Sequence, residues 1–273
     1  FMENCGLKGY DEFAKKGDIR HIVARQVGEN FIFTVVAAHK INISPFAGML
    51  KDEFKNFSLW LNVNGGTGNA IFGKEWHICC GRSSFEGEDC GVKFTAGAQT
   101  FLQVNDDVRT LLYESVRREV CTPSSVVIDL YSGGGMLTAM LAGGCAAAYG
   151  IEIVPEAVAD ADELTAQSGN VGKVENICGD CAEKLPVLAE KLREQGRRFA
   201  VVLDPPRKGC DERVLDALKS AKPDKVYYIS CNPATLARDL ARLDDSYTIM
   251  SVTPYDMFPE TKHVETLVML CRK

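Results

Sequence analysis

The 273-residue sequence has little that would tie it to a membrane or a secretory route. No apolar run approaches the ~20 residues that span a bilayer. The opening Phe1-Met2-Glu3-Asn4-Cys5 shows no leader pattern, so a cytoplasmic location without a membrane partner is expected. A basic excess is missing too: 31 Lys and Arg face 37 Asp and Glu, a net charge of −6. That weighs against nucleic acid, because gripping phosphates usually leaves a positive footprint. There are no internal repeats and no low-complexity tracts. A strict G-x-G-x-x-G is absent, which disfavours a nicotinamide dinucleotide. No second C-x-x-C with zinc spacing accompanies Cys178-Gly179-Asp180-Cys181, so no metal site and no redox pair is expected.

What is present is an ordinary core-forming composition, 46% apolar and 25% charged, enough for one large domain or two small ones. The eleven cysteines are odd in number, unevenly spaced and mostly set in apolar stretches, which favours reduced, buried side chains over a disulfide framework. From Pro123 onward, strands and helices alternate. Strands are expected at Val126–Tyr131, Tyr149–Ile153, Val174–Cys178, Phe199–Leu203 and Lys225–Ile229, with two more at Tyr247–Val252 and Glu265–Leu270. Helices are expected at Met136–Ala148, from Pro155, from Ala182, at Glu212–Ala221 and after Asn232-Pro233. This predicts an α/β fold with a mostly parallel sheet covered on both faces. The first 122 residues read instead as a smaller α+β domain. Its expected strands are His21–Gln26, Phe31–Ala37, Leu59–Asn64, Ala70–Phe72 and Lys93–Ala96, followed by a helix near Asp106–Val120. The expected division is thus 1–122 and 123–273.

Ligands of open α/β sheets bind at the carboxyl ends of the strands. Asp129-Leu130-Tyr131-Ser132-Gly133-Gly134-Gly135 stands at such an end, where glycines admit a ligand close to the backbone ahead of a helix N-terminus. Glu152 ends the next strand, where an acid can accept both hydroxyls of a ribose, and Asp180 ends the third, within reach of an adenine amino group. Two further strand ends carry Asp204-Pro205-Pro206-Arg207 and Ser230-Cys231-Asn232-Pro233. A cysteine ahead of a helix N-terminus has its thiolate favoured by the helix dipole, and polar neighbours argue against a dry core position. Asp204 could equally cap a turn. Glu265 opens an apolar strand; it is either a general base reaching the same cavity or an ordinary exposed strand-end acid. His263 reads as structural.

Together the runs Asp129–Gly133, Leu203–Arg207, Ile229-Ser230-Cys231-Asn232-Pro233-Ala234-Thr235-Leu236-Ala237-Arg238-Asp239 and Phe258-Pro259 to Glu265 resemble the RNA uracil-5-methyltransferases of the TrmA/RumA type. Phe101-Leu102-Gln103-Val104-Asn105 resembles that family's cofactor-contacting segment. The resemblance implies a Rossmann-like class I methyltransferase domain with a seven-stranded, mostly parallel sheet, and S-adenosylmethionine as cofactor. It implies Cys231 as nucleophile and Glu265 as base. Gln103, Tyr131, Gly133, Glu152, Asp180 and Asp204 would face the cofactor, with Asp204, Arg207 and Asn232 toward the substrate. Gly9-Tyr10-Asp11-Glu12 and Ile19–Arg25 resemble the 23S ribosomal RNA branch, so 23S rRNA is the expected target and tRNA the alternative. The family's N-terminal TRAM domain is not visible, nor is the cysteine cluster that holds a [4Fe-4S] centre in many ribosomal members. A fragment of a longer, monomeric protein is therefore expected, with much of the RNA-gripping surface upstream. Met136 stands where some relatives have Asn, and no contact is assigned to it.

Two rival chemistries fit less well. Adenine-amino methyltransferases place an aromatic residue after Asp/Asn-Pro-Pro, where this chain has Arg207, and RNA cytosine-5 enzymes carry a Pro-Cys on that strand, where this chain has no cysteine. A non-catalytic RNA-binding or RNA-folding module is the rival of another class, opposed by the intact Cys231 and Glu265.

Overall fold

The computed structural model describes residues 1–68, 70–100 and 105–273. Its chain forms two compact units, one of Phe1–Glu88 with Phe94–Thr100, the other of Asp89–Lys93 with Phe101–Lys273.

In the first unit, β1 (Ile19–Val27) and β2 (Asn30–Ala37) form an antiparallel hairpin that turns at Gly28, whose φ of +57° suits glycine. Helix α1 (Ser44–Glu53), opened by Pro45 in its first turn, crosses over to β3 (Phe57–Val63), which lies parallel to β2. Strand β4 (Glu75–Cys80) pairs antiparallel with β3, while β5 (Ser84–Asp89) and β6 (Val92–Gly97) make a separate ribbon. Val35, Leu59 and Leu61 on the sheet bury Ala47 and Leu50 of α1, and Phe33 meets Phe54 edge-on at 4.9 Å. The strand expected at Ala70–Phe72 does not form. The side-chain amide of buried Asn64 takes the Ala70 and Ile71 carbonyls at 2.7 and 3.0 Å, so those groups need no strand partner. Neither α1 nor β4 and β5 was expected; β4 lacks a buried–exposed alternation to announce it.

The second unit runs α2 (Asp106–Val120), β7 (Val126–Leu130), α3 (Met136–Ala142), β8 (Ala147–Glu152), α4 (Pro155–Gln167), β9 (Val174–Cys178) and α5 (Cys181–Glu194). It continues with β10 (Ala200–Leu203), α6 (Glu212–Ala221), β11 (Lys225–Ser230), α7 (Pro233–Leu243), β12 (Tyr247–Tyr255) and β13 (Glu265–Arg272). Its seven strands are ordered β12-β13-β11-β10-β7-β8-β9, and β13 alone runs against its neighbours. Helix α2 falls in this unit and not in the first, so the division lies near residue 100 where 122 was expected. It buries Leu112, Tyr113 and Val116, and its Arg109 pairs with Asp89 of the same unit at 2.5 Å. Helix α3 stops at Ala142, short of the expected Ala148. Gly143 and Gly144 are poor helix formers, and Ala147 is already paired with Val126. On one face of the sheet a continuous core runs through Ile128, Leu130, Ile151, Val201, Leu203, Tyr228 and Val268, covered by Leu185 of α5, Leu218 of α6 and Leu236 of α7.

Candidate active site

The parallel register aligns the carboxyl ends of the strands. Leu130 pairs with Ile151 and Leu203, Glu152 with Cys178, and Leu203 with Tyr228. Tyr131, Glu152, Asp204 and the end of β11 therefore form one edge. On the antiparallel side Ser230 pairs with Thr266, so the next position on each strand sets Cys231 against Glu265. Two residues 34 positions apart in the chain, both singled out from the sequence, are made neighbours by strand register.

Over β7 and β8 the backbone turns sharply. Tyr131 adopts φ +61°, unusual for a non-glycine residue, and Gly133 and Gly135 follow at +52° and +80°. No atom lies within 4 Å of where a β-carbon would stand on Gly133 or Gly134, whereas one on Gly135 would lie 2.7 Å from the Ala161 Cβ. The first two glycines face an open cradle and the third a closely packed helix. Glu152 accepts from the Gly133 N–H at 3.1 Å through Oε2 and from the Val154 N–H at 2.9 Å through Oε1. Each oxygen keeps a lone pair for a further donor. Asp180 is the N-cap of α5, accepting from Ala182 N–H at 2.8 Å, and its other oxygen pairs with Arg213 at 2.9 Å. An open glycine cradle beside an acid with spare acceptors fits an adenosyl ligand; Asp180 has less acceptor capacity left than Glu152. Gln103 lies outside the described residues.

Over β10, β11 and β13 the ionisations are displaced. Glu265 is 6% exposed, and among the described residues its Oε2 has no hydrogen-bond partner. The exposed strand-end acid considered as an alternative is thereby excluded. Burial pushes the Glu265 carboxyl up, with Arg207 pulling the other way. Asp204, half-buried, is pushed up to about 8 by burial, by Glu265 and by Asp129. Cys231 is half-buried, and its thiol is raised by burial and by Glu265, lowered by Arg207, and raised again by Asp204. This corrects the expectation that the helix N-terminus favours its thiolate: desolvation and two acids outweigh it. Arg207 is exposed, and its carbonyl accepts from Asn232 Nδ2 at 3.2 Å; Asn232 also caps α7 by accepting from Ala234 N–H at 3.1 Å. Asn232 thus ties the two loops together through backbone.

Among the described cysteines the thiol that is pulled down is that of Cys145, which shares a 2.9 Å hydrogen bond with the Cys121 thiol and accepts from Ser125 Oγ at 3.2 Å. It precedes β8, at the amino end of the strands opposite the site, so acidity alone would select a thiol far from the strand-end cluster. Cys178 is exposed, and Cys181 is buried with its thiol 3.7 Å from the Ile151 carbonyl. Asp129, to which the sequence assigned no role, is 2% exposed, accepts from Thr138 Oγ1 at 2.6 Å, and is raised to about 7 mainly by burial. A lone acid inside Val126-Val127-Ile128-Asp129-Leu130 was the available signal.

The strand order and the glycine turn define a class I methyltransferase fold, preceded here by a smaller α+β unit. The model of the tRNA (uracil-5-)-methyltransferase family matches residues 83–273, and the chain belongs to that family. Over 97% of its length it is 36% identical to an uncharacterized RNA methyltransferase of Halalkalibacterium halodurans. A second, from Geobacter sulfurreducens, is 36% identical over the whole chain. The chain spans 58% and 56% of the length of these two relatives. Among solved structures, the Pyrococcus abyssi tRNA (uracil-54, C5)-methyltransferase in complex with S-adenosyl-L-homocysteine superposes with a TM-score of 0.75 at 24% identity, covering 99% of this chain and 64% of that one. At that identity the likeness speaks for the fold.

Proposed function

We propose that this chain carries the chemistry of S-adenosylmethionine-dependent methylation of uracil carbon-5 in RNA, through a covalent Cys231–uracil adduct. The observation that carries the reading is the register that opposes Cys231 to the buried Glu265, whose Oε2 has no hydrogen-bond partner among the described residues. Carbon-5 of uracil is a weak nucleophile. The Cys231 thiolate adds to carbon-6, the ring electrons move onto the carbon-4 oxygen, and the resulting enolate makes carbon-5 nucleophilic. When bound between Gly133, Glu152 and Asp204, the cofactor supplies an electrophilic methyl group on a positively charged sulfur. Glu265 then takes the proton from carbon-5, the carbon-6–sulfur bond breaks, and the thiolate is released. Burial suits this base, since a carboxylate raised above its ordinary range accepts a proton more readily.

Asp204 contributes to recognition. With its carboxyl raised to about 8, it holds its proton at neutral pH and presents one donor and one acceptor. Those match the carbon-4 oxygen and the N3–H of a uracil edge. The base must leave its stack to reach this edge of the sheet. The target is read as 23S ribosomal RNA from the Gly9–Glu12 and Ile19–Arg25 segments, with tRNA as the second reading, favoured by the family description.

The test is labelled S-adenosylmethionine with the full-length protein and unmodified rRNA or tRNA. The expected result is label at carbon-5 of uracil in one of them, lost in Cys231→Ala, and a stable protein adduct on 5-fluorouracil RNA. No adduct with the fluorinated RNA would overturn the mechanism, and label in tRNA alone would overturn the ribosomal target.

A further inference from the structure

The loop between β10 and α6 carries both Asp204 and Arg207, but the two are held differently. Asp204 directly follows the strand, and its N–H reaches the Leu130 carbonyl at 3.5 Å. Arg207 lies three residues on, past two prolines, in a stretch held from one face of α7. Asn232 and Thr235 both donate to the Arg207 carbonyl, at 3.2 and 3.3 Å, and Arg238 donates to the carbonyls of Lys208 at 3.0 Å and Cys210 at 3.4 Å. Positions 232, 235 and 238–239 recur at helical spacing on that face. Asp239 completes it and is 0% exposed. Its Oδ2 accepts from the Cys210 N–H at 2.8 Å and from Tyr228 Oη at 2.7 Å, and its Oδ1 holds Arg238 at 2.8 Å. Gly209 turns the loop at φ +78°, and a β-carbon there would lie 2.6 Å from both Arg238 Nη2 and Asp239 Oδ2. The loop and the carboxylate are thus fitted to each other with no room for a methyl group.

We propose that Asp239 is a positioning residue for the reaction: by fixing Arg238 and the Lys208–Cys210 backbone it presents the Arg207 guanidinium to Cys231 and Glu265. This rests on Cys231 being the nucleophile. The groups whose charge bears on the Cys231 thiol are Glu265 from β13 and Arg207 and Asp204 from the β10–α6 loop; of these Arg207 alone favours the thiolate. A buried carboxylate that serves only the core would have no influence on that thiol when changed.

The experiment needs no RNA. The pH dependence of iodoacetamide alkylation at Cys231 is followed peptide by peptide on the folded protein, since only the thiolate reacts. Arg207→Gln is expected to move the Cys231 profile to higher pH, and Asp239→Asn to move it the same way. A shift of about half a pH unit would slow alkylation at pH 8 about threefold. In the double variant the second change should add nothing. Gly209→Ala, which disturbs the same contact from the loop side, should reproduce the shift if Asp239→Asn does not fold. Tyr228→Phe removes one bond to Asp239 and a side-chain contact with Cys210 but leaves the bonds to the Lys208–Cys210 backbone in place, and should leave the profile where it is. An unmoved profile in Asp239→Asn with a lowered melting temperature, a fully additive double variant, or an equal shift in Tyr228→Phe would each overturn the proposal. Failure of the uracil chemistry would appear elsewhere, as the missing adduct on fluorinated RNA.

Discussion

Glu152 and Glu265 stand at the same edge of one sheet, four strands apart in its order, and their surroundings are opposite. Glu152 has a backbone N–H on each oxygen, whereas Glu265 is buried with an oxygen that no described group satisfies. The contrast extends to their neighbours. Near β8 and β9, Asp180 is spent on a helix cap and an ion pair; near β10 and β11, Asp204 and Cys231 have their protons held more tightly than usual. On the proposed reading one half of the edge is the receptor, with charges settled before a ligand arrives. The other stores groups whose protons can move, which chemistry at neutral pH requires.

The largest expected effect comes from breaking the reactive half. Glu265→Gln keeps the shape but removes the proposed base, so methyl transfer should fall about 10²- to 10⁴-fold. Adduct formation at Cys231 should survive, and the methylated adduct should accumulate on ordinary uridine RNA, visible as a protein–RNA band resistant to denaturant. Loss of the adduct together with turnover would mean that Glu265 acts before carbon–sulfur bond formation.

Breaking the receptor half should leave the thiol alone. Glu152→Ala removes the acceptors assigned to the ribose, and at about 1.5–3 kcal/mol per charged hydrogen bond the cofactor should bind at least about tenfold more weakly. Titration calorimetry measures this directly. Cys231 alkylation in the same variant should match the parent at every pH; a changed profile would show that the two halves are not separable.

How much of this contrast could be read before the structure differs between the halves. Glycines, strand-end acids and helix caps are local, so Glu152, Gly133 and the limits of β9 and α6 were accessible from the sequence. Helix α3 was overextended because Gly143-Gly144 was given too little weight against the apolar run around it. In the reactive half, Cys231 and Glu265 were named, but the electrostatics of the Cys231 thiol were misread. A helix dipole is worth about 0.3–1 kcal/mol and fades within a turn. Burial and two acids push the thiol the other way, and burial depends on which strands flank β11, a long-range fact. Asp239 was invisible for the same reason: its partners Tyr228 and Cys210 lie 11 and 29 residues away.

Asp204 offers a stability test of the reactive half. Its folded carboxyl is raised to about 8 from an ordinary 3.8, so its stabilising contribution is complete below about pH 4 and is lost as pH rises through 8. Asp204→Asn cannot ionise and should escape that loss. Its melting temperature relative to the parent should therefore rise between pH 5 and pH 8.5, by more than about 1 kcal/mol in stability. A difference that stays constant across this range would show that Asp204 is not held protonated.

The smallest effect decides what Asp180 is for. As an N-cap it is replaceable by Asn, which caps as well, whereas Ala should cost about 1 kcal/mol. The ion pair with Arg213 is exposed on the arginine side, at 62%, and is worth at most about 1 kcal/mol. Asp180→Asn should therefore melt within a degree or two of the parent, and Asp180→Ala somewhat lower. If cofactor affinity follows the same order, Asp180 acts by holding the start of α5. If Asn weakens the cofactor while leaving the melting temperature in place, its carboxylate is a direct ligand despite the two partners it already has, and the receptor half keeps a charge in reserve as the reactive half does.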